Sequence, residues 1–273
     1  MNANRTSRPP RPYAITVICG LVGYSSYLLF KGVFVLLAAP VLLALVPFPK
    51  ARYEFLQASL RGSLMLFAQG WLPVLGIYRV VEVSGLEQML ALGPAVLVAN
   101  HRSFMDSPML LSLVPRMGVV IKARDTRQVL HALLVWAFDM VSIDANRLSS
   151  VGSAMAKCQG ILSAGRRLLI YPEGTRARSG RLQPFRPLAF ELARKAGVPV
   201  VPVVIHSTVP FMAKVPGSVF PRHHNEYRIR FLAAEMPRPG DTPQDLCDRV
   251  HRQMARELKT LDAGTIWENK SRF

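Results

Sequence analysis

Asn100-His101-Arg102-Ser103-Phe104-Met105-Asp106 stands between an apolar run, Pro94-Ala95-Val96-Leu97-Val98-Ala99, and a stretch beginning Ser107-Pro108-Met109-Leu110-Leu111. The apolar run is short and bounded by turn residues, as a buried strand is. The later stretch has proline in its first turn, as a helix start does. A histidine therefore falls at the carboxyl end of a strand, where open α/β sheets place their sites. Asp106 follows five residues later, at the start of the helix. A carboxylate there can hold one imidazole nitrogen protonated and leave the other facing outward as a base. Taken alone, the H-x4-D spacing reads more simply as a helix N-cap beside a loop histidine, and the second half of the chain changes that balance.

Outward from this stretch, strands and helices alternate. Strands are expected at Tyr78–Val83, Val96–Ala99, Met117–Lys122, Met140–Ile143, Arg167–Tyr171, Val198–Ile205 and Tyr227–Leu232. Helices are expected at Asp106–Leu113, Arg127–Phe138, Val151–Leu162, Leu188–Ala196 and Pro243–Leu261. Leu246, Val250, Met254 and Leu258 recur at every fourth position of the last helix. Its acids come early and its bases late, as the helix dipole favours. The alternation predicts one α/β domain over residues 72–273, with a mainly parallel central sheet flanked by helices.

Residues 1–12 are polar and carry three arginines, which reads as a disordered basic tail. Residues 13–71 read as a membrane-associated helical segment. Ala14–Phe30 and Gly32–Phe48 are uncharged apolar runs of about 17 residues each, at the short end of what spans a bilayer. Lys31 separates them. The pattern fits a helical hairpin dipping into one leaflet or a single long spanning helix. Basic residues on both flanks favour the hairpin with both ends on the cytosolic face. Cleavage at Ala38-Ala39 as in a secretory signal is set aside, because apolar sequence continues past it. Phe55, Leu56, Leu60, Leu64 and Phe67 then give a helical spacing along the membrane surface.

A second loop follows the apolar strand near Ile170: Tyr171-Pro172-Glu173-Gly174-Thr175-Arg176, continuing through Arg178, Arg181 and Arg186. Glycine lets backbone N–H groups approach a ligand, Thr175 offers a hydroxyl, and Arg176 offers a fork for phosphate. The same composition also suits a solvated basic loop against lipid headgroups.

The 273-residue chain carries a formal charge of +17, and half of its residues are hydrophobic. Such a basic, apolar chain suits an anionic membrane surface or phosphate-bearing substrates. Nucleic acid is the other usual partner of such charge. It leaves the two apolar runs unexplained, and no basic stretch with interleaved aromatics occurs. Cys19, Cys158 and Cys247 lie far apart and in no metal-type spacing with histidine, so reduced thiols are expected and a disulfide framework is not.

Four segments in order resemble the glycerolipid acyltransferase family, typified by 1-acyl-glycerol-3-phosphate acyltransferases. They are His101–Asp106, the block from Lys122 to Ile143-Asp144, Tyr171–Arg176, and Val198-Pro199-Val200-Val201-Pro202-Val203. The resemblance covers about residues 78–210. The apolar N-terminus matches the family's usual membrane anchor. The resemblance implies transfer of a fatty acyl chain from acyl-CoA or acyl carrier protein to the hydroxyl of a lysolipid, most simply 1-acyl-glycerol-3-phosphate, giving phosphatidic acid. It implies His101 as base oriented by Asp106, and Glu173, Gly174, Thr175 and Arg176 as acceptor-binding residues, with Lys122 as a further anion ligand. No metal or redox cofactor is implied. Ser103 is read as a cap or a substrate contact rather than a nucleophile.

Two departures bear on the acceptor. Asp144 is followed by Ala145-Asn146 before Arg147, where the family has arginine directly, and Phe185-Arg186-Pro187-Leu188 replaces a Lys-x-Gly pattern. Another lysolipid, such as a lyso-aminolipid, is the alternative acceptor. Outside this chemistry, a hydrolase built on His101 and Asp106 and a non-catalytic lipid-binding protein are the remaining readings.

Overall fold

The computed structural model describes residues 12–123, 139–144, 147–177, 181–209, 211–214, 218 and 225–265. Helix α1 (Tyr13–Ala44) is followed by α2 (Pro49–Met65), a π-helical turn (Leu66–Trp71) and a short α3 (Leu72–Val74). Strands β1 (Arg79–Ser84), β2 (Val96–Ala99), β3 (Met117–Lys122), β4 (Val141–Ile143), β5 (Arg167–Ile170), β6 (Val200–Ser207) and β7 (Glu226–Phe231) form one sheet. Helices α4 (Leu86–Ala91), α5 (Asp106–Leu113), α6 (Leu148–Ser163), α7 (Leu188–Ala196) and α8 (Pro243–Asp262) flank it. The helix expected at Arg127–Phe138 lies outside the described residues.

The strand order is β1-β7-β6-β2-β5-β3-β4. Five strands, from β6 to β4, run parallel. β7 is antiparallel to β6, and β1 is parallel to β7, so one edge of the sheet is reversed. This is the α/β architecture with a mainly parallel central sheet that the sequence predicts. The apolar runs are strands because both faces of the sheet are covered. Leu97 and Ala99 of β2 face a core built with α2, the π-helical turn and α5. Val96 and Val98 face the opposite core, built with α6, α7 and α8. The same two-residue alternation sends Val201, Val203 and Ile205 of β6 to the first core and Val200 and Val204 to the second.

The two N-terminal apolar runs on either side of Lys31 belong largely to one long helix, the second of the two arrangements the sequence left open. The chain runs through that position as one helix, and through Pro40 as well. The reversal comes at Leu45–Phe48, and α2 is the return arm of the hairpin, packed against α1. A lone charged residue in an otherwise apolar helix supplies no chain-reversing geometry, whereas Pro47 and Pro49 limit helix continuation. One stripe of α1 docks on the rest of the protein. The rings of Tyr27 and Phe30 lie 5.1 and 5.6 Å from that of Phe67, and the Trp71 indole N–H donates to Ser26 Oγ at 2.8 Å. Gly23 sits against Ile77 so closely that an added Cβ would meet its Cδ1 at 2.6 Å. The outer face is apolar and bare: Leu29, Leu36, Leu37 and Leu43 are each about 70% exposed. By length and composition α1 suffices to cross a membrane.

Candidate active site

The carboxyl ends of three neighbouring strands, β6, β2 and β5, converge on the His101 loop. Asn100 sets its starting point. Its amide donates to the Ile205 carbonyl and accepts the Ile205 N–H, both at 2.8 Å, which fastens the end of β2 to β6. His101 then leaves the sheet partly exposed, while Asp106 is buried. Its carboxylate lies 2.9 Å from His101 Nδ1, and the same oxygen, Oδ2, accepts the backbone N–H groups of Arg102 and Ser103 at 2.8 Å each. An oxygen that already receives two N–H groups is an acceptor, so Nδ1 carries its proton and Nε2 the lone pair. Asp106 is the first residue of α5 and turns back over the loop; Met105 occupies the N-cap position, without a side-chain cap. The helix-cap alternative for Asp106 therefore gives way to an imidazole-orienting carboxylate.

Tyr171, at the end of β5, stacks on the imidazole with ring centroids 4.1 Å apart, and its phenolic oxygen accepts a hydrogen bond from Ser107 Oγ. The ring fixes the histidine's plane while the carboxylate fixes its rotation. Ser103 is occupied elsewhere. Its hydroxyl donates to the Phe211 carbonyl at 2.6 Å and accepts the Met105 N–H at 3.0 Å, so it ties the loop to the segment after β6.

The second loop lies alongside. Glu173 is buried, with one carboxylate oxygen accepting the His101 N–H at 2.8 Å and the other accepting the Gln183 N–H at 2.9 Å. The Ala177 N–H donates to the His101 carbonyl at 2.7 Å. His101 is thus held at its main chain by the Tyr171–Ala177 segment and at its ring by Asp106. Gly174 adopts φ +66°, a conformation that strains other residues, and Arg186 packs over it, with Nε 3.3 Å from where a Cβ would stand. Arg176 donates from Nη1 to the Met212 carbonyl at 2.8 Å, and Thr175 Oγ1 accepts from Lys214 Nζ at 2.7 Å. Lys214 belongs to the segment after β6, and no feature of the sequence singled it out. Met212 itself carries a positive φ of 47°, and its carbonyl also accepts the Phe104 N–H, so local backbone strain falls at the junction of the two loops. Lys122 ends β3 on the same sheet edge, but β5 separates it from β2.

Burial pushes the Glu173 carboxyl from its ordinary 4.5 up to about 7, against the opposing pull of its two backbone N–H donors. A carboxyl raised in the folded state costs stability as pH climbs from its unfolded to its folded value. Glu173→Gln removes that slope but presents an amide N–H to one of the two backbone donors. Chemical denaturation of both proteins should show the wild-type advantage over Glu173→Gln shrinking by up to about 3 kcal/mol between pH 4.5 and 7, and flat beyond. A constant difference across that range would place the ionisation elsewhere.

A family model described as Acyltransferase matches residues 80–206, a span holding His101, Asp106, Lys122 and Glu173–Arg176. The chain is an O-acyltransferase. It is 30% identical to human 1-acyl-sn-glycerol-3-phosphate acyltransferase alpha over 246 residues, covering 79% of this chain and 86% of that protein. It is 28% identical to the chloroplastic LPAT1 of Arabidopsis thaliana, over 88% of this chain and 63% of that one. It belongs to the glycerolipid acyltransferase family. Its fold is that of the crystal structure of the 1-acyl-sn-glycerophosphate (LPA) acyltransferase PlsC from Thermotoga maritima, with a TM-score of 0.72, 19% identity and coverage of 91% and 96% of the two chains.

Proposed function

We propose that this protein transfers a fatty acyl chain from a thioester, acyl-CoA or acyl carrier protein, to the free hydroxyl of 1-acyl-glycerol-3-phosphate, giving phosphatidic acid. The observation that carries the chemistry is the triply bonded Oδ2 of Asp106, which leaves His101 Nε2 as a base at the end of the central strand. His101 Nε2 takes the acceptor's hydroxyl proton as the oxygen attacks the thioester carbonyl. Asp106 stabilises the imidazolium, and collapse of the tetrahedral intermediate expels a thiolate, which recovers that proton. Atoms balance without an acyl-enzyme, a metal or a redox group. The N–H groups of His101 to Phe104 are all committed to protein acceptors, so the oxyanion draws its donors from outside this loop.

The acceptor's phosphate is assigned to the cationic rim made by Arg176, with Arg186 and Lys214 beside it. The relatives named 1-acyl-sn-glycerol-3-phosphate acyltransferases support that acceptor. Glu173 acts there through the main chain of His101 rather than on substrate, and Gly174 lets Arg186 close over the loop. Membrane association through the bare face of α1 would present the site to lipid, with the His101 loop on the cytosolic face.

The test is a set of kcat and KM values for lysophosphatidic acid, lysophosphatidylcholine, lysophosphatidylethanolamine and a lyso-aminolipid with one acyl-CoA. Lysophosphatidic acid should be preferred. Arg176→Ala should raise its KM by about ten- to a hundredfold, the scale of a lost charged hydrogen bond, with a smaller effect on kcat. Preference for a lyso-aminolipid, with Arg176→Ala silent, would keep the chemistry and replace the acceptor.

A further inference from the structure

Arg102 follows the proposed base directly, yet its side chain turns away from the site and into the protein, where it is 4% exposed. There its guanidinium meets Asp262, the last residue of α8, in a two-pronged pair: Nη1 to Oδ1 at 2.8 Å and Nη2 to Oδ2 at 2.7 Å. Asp262 is equally sequestered, at 6%. Fully buried His206 of β6 places its Nε2 3.5 Å from Asp262 Oδ1. Burial and the adjacent Arg102 guanidinium push that imidazole down to about 4, so at neutral pH it adds no charge and the cluster balances one cation against one carboxylate.

A buried ion pair adds little net stability over a well-packed apolar pair of the same size. It does fix geometry, because a bidentate fork has one preferred orientation. The main chain of Arg102 is where that geometry matters. Its N–H donates at 2.8 Å to Asp106 Oδ2, the oxygen that orients His101. Asp262 thereby reaches the His101–Asp106 pair across 160 residues of sequence through one intervening residue.

We propose that Arg102 and Asp262 form a positioning device for acyl transfer: the end of the last helix clamps the His101 loop and sets the alignment of Asp106 with the imidazole. Neither residue touches substrate. The inference rests on His101 and Asp106 as the catalytic pair. Displacing reacting groups by about 1 Å costs on the order of a hundredfold in rate, so loosening the clamp is expected to lower kcat by about ten- to a hundredfold with both KM values within about twofold.

The experiment compares full-length wild type, Asp262→Asn, Arg102→Met/Asp262→Leu and His101→Ala in one detergent, measuring kcat, both KM values and Tm. Asp262→Asn keeps the shape and loses the charge. The double variant replaces the pair by apolar side chains, so its Tm should return to near the wild-type value while its kcat stays at least about tenfold low. Wild-type kcat in Asp262→Asn overturns the proposal, as does a double variant that regains kcat together with Tm, since either makes the pair merely structural. A rise in KM at unchanged kcat also overturns it, by making the pair a binding element. An active His101→Ala removes the base on which the proposal stands, and is distinguishable because it leaves the Arg102 and Asp262 variants without a catalytic pair to position.

Discussion

His101→Ala is expected to lower kcat for phosphatidic acid formation by at least about a hundredfold, the low end of what a positioned general base contributes. KM for acyl-CoA and lysophosphatidic acid should change little, because the imidazole acts on the hydroxyl as it reacts and holds neither the headgroup nor the thioester's nucleotide. The loss should not come from unfolding. The ring is partly exposed and its removal leaves the main-chain anchors intact: the His101 N–H still reaches Glu173, and its carbonyl still accepts the Ala177 N–H. Thermal denaturation of the variant should therefore resemble that of the wild type while turnover collapses.

Asp106→Asn gives the second large effect, and its size follows from how the carboxylate is held. In a site where the orienting aspartate meets only the histidine, asparagine can turn its amide toward the ring and trap the wrong tautomer. Here the oxygen facing His101 is also fixed by the N–H groups of Arg102 and Ser103. Asparagine must keep its carbonyl oxygen in that place or oppose three donors at once. The tautomer is thus preserved and only the negative charge is lost. That loss removes charge-assisted hydrogen bonding worth about 2–3 kcal/mol in the transition state, a kcat decrease on the order of a hundredfold. Asp106→Ala should be worse in both rate and stability, because it leaves two buried N–H groups and an imidazole N–H unpaired. Measuring kcat and Tm for both variants separates the charge from the scaffold: Asn should cost rate at nearly unchanged Tm, and Ala should cost both.

Much of this was legible in the chain because local physics and tertiary structure agree there. The run Val96–Ala99 is apolar at every position and is buried at every position, so its end is well defined and His101 falls where a sheet places a reacting group. Helix α8 shows its buried face in Leu246, Val250, Met254 and Leu258, the positions its spacing picks out; the Thr242–Asp245 capping box at its start was not read from the chain. The bounds moved by about two residues at β6, expected from Val198 and observed from Val200, since Pro199 delays the ladder. Helix α4 escaped notice. It has six residues, too few for a periodic pattern, and begins after Gly85 at φ +71°.

The site was less legible wherever long-range partners decide a side chain's use. Glu173 sits among arginines in sequence and reads as part of an anion-binding loop. In the fold both its oxygens are taken by backbone N–H groups, one of them from the other loop. Arg102 reads as one more basic residue, and nothing near Asp262 announces its partner. Lys214 reaches Thr175 only because the segment after β6 lies across the loop after β5. In each case the pairing is made by the order β6-β2-β5, which strand periodicity alone does not specify.

The central claim is direct transfer to a lysolipid hydroxyl activated by His101, and a rapid-quench experiment with labelled acyl-CoA tests it most directly. Enzyme in excess over acyl-CoA, mixed with lysophosphatidic acid, should release one CoA for each phosphatidic acid formed, and without the acceptor it should release none and carry no label. A burst of CoA with label on the protein in the absence of acceptor, or steady thioester hydrolysis with no phosphatidic acid, would contradict it.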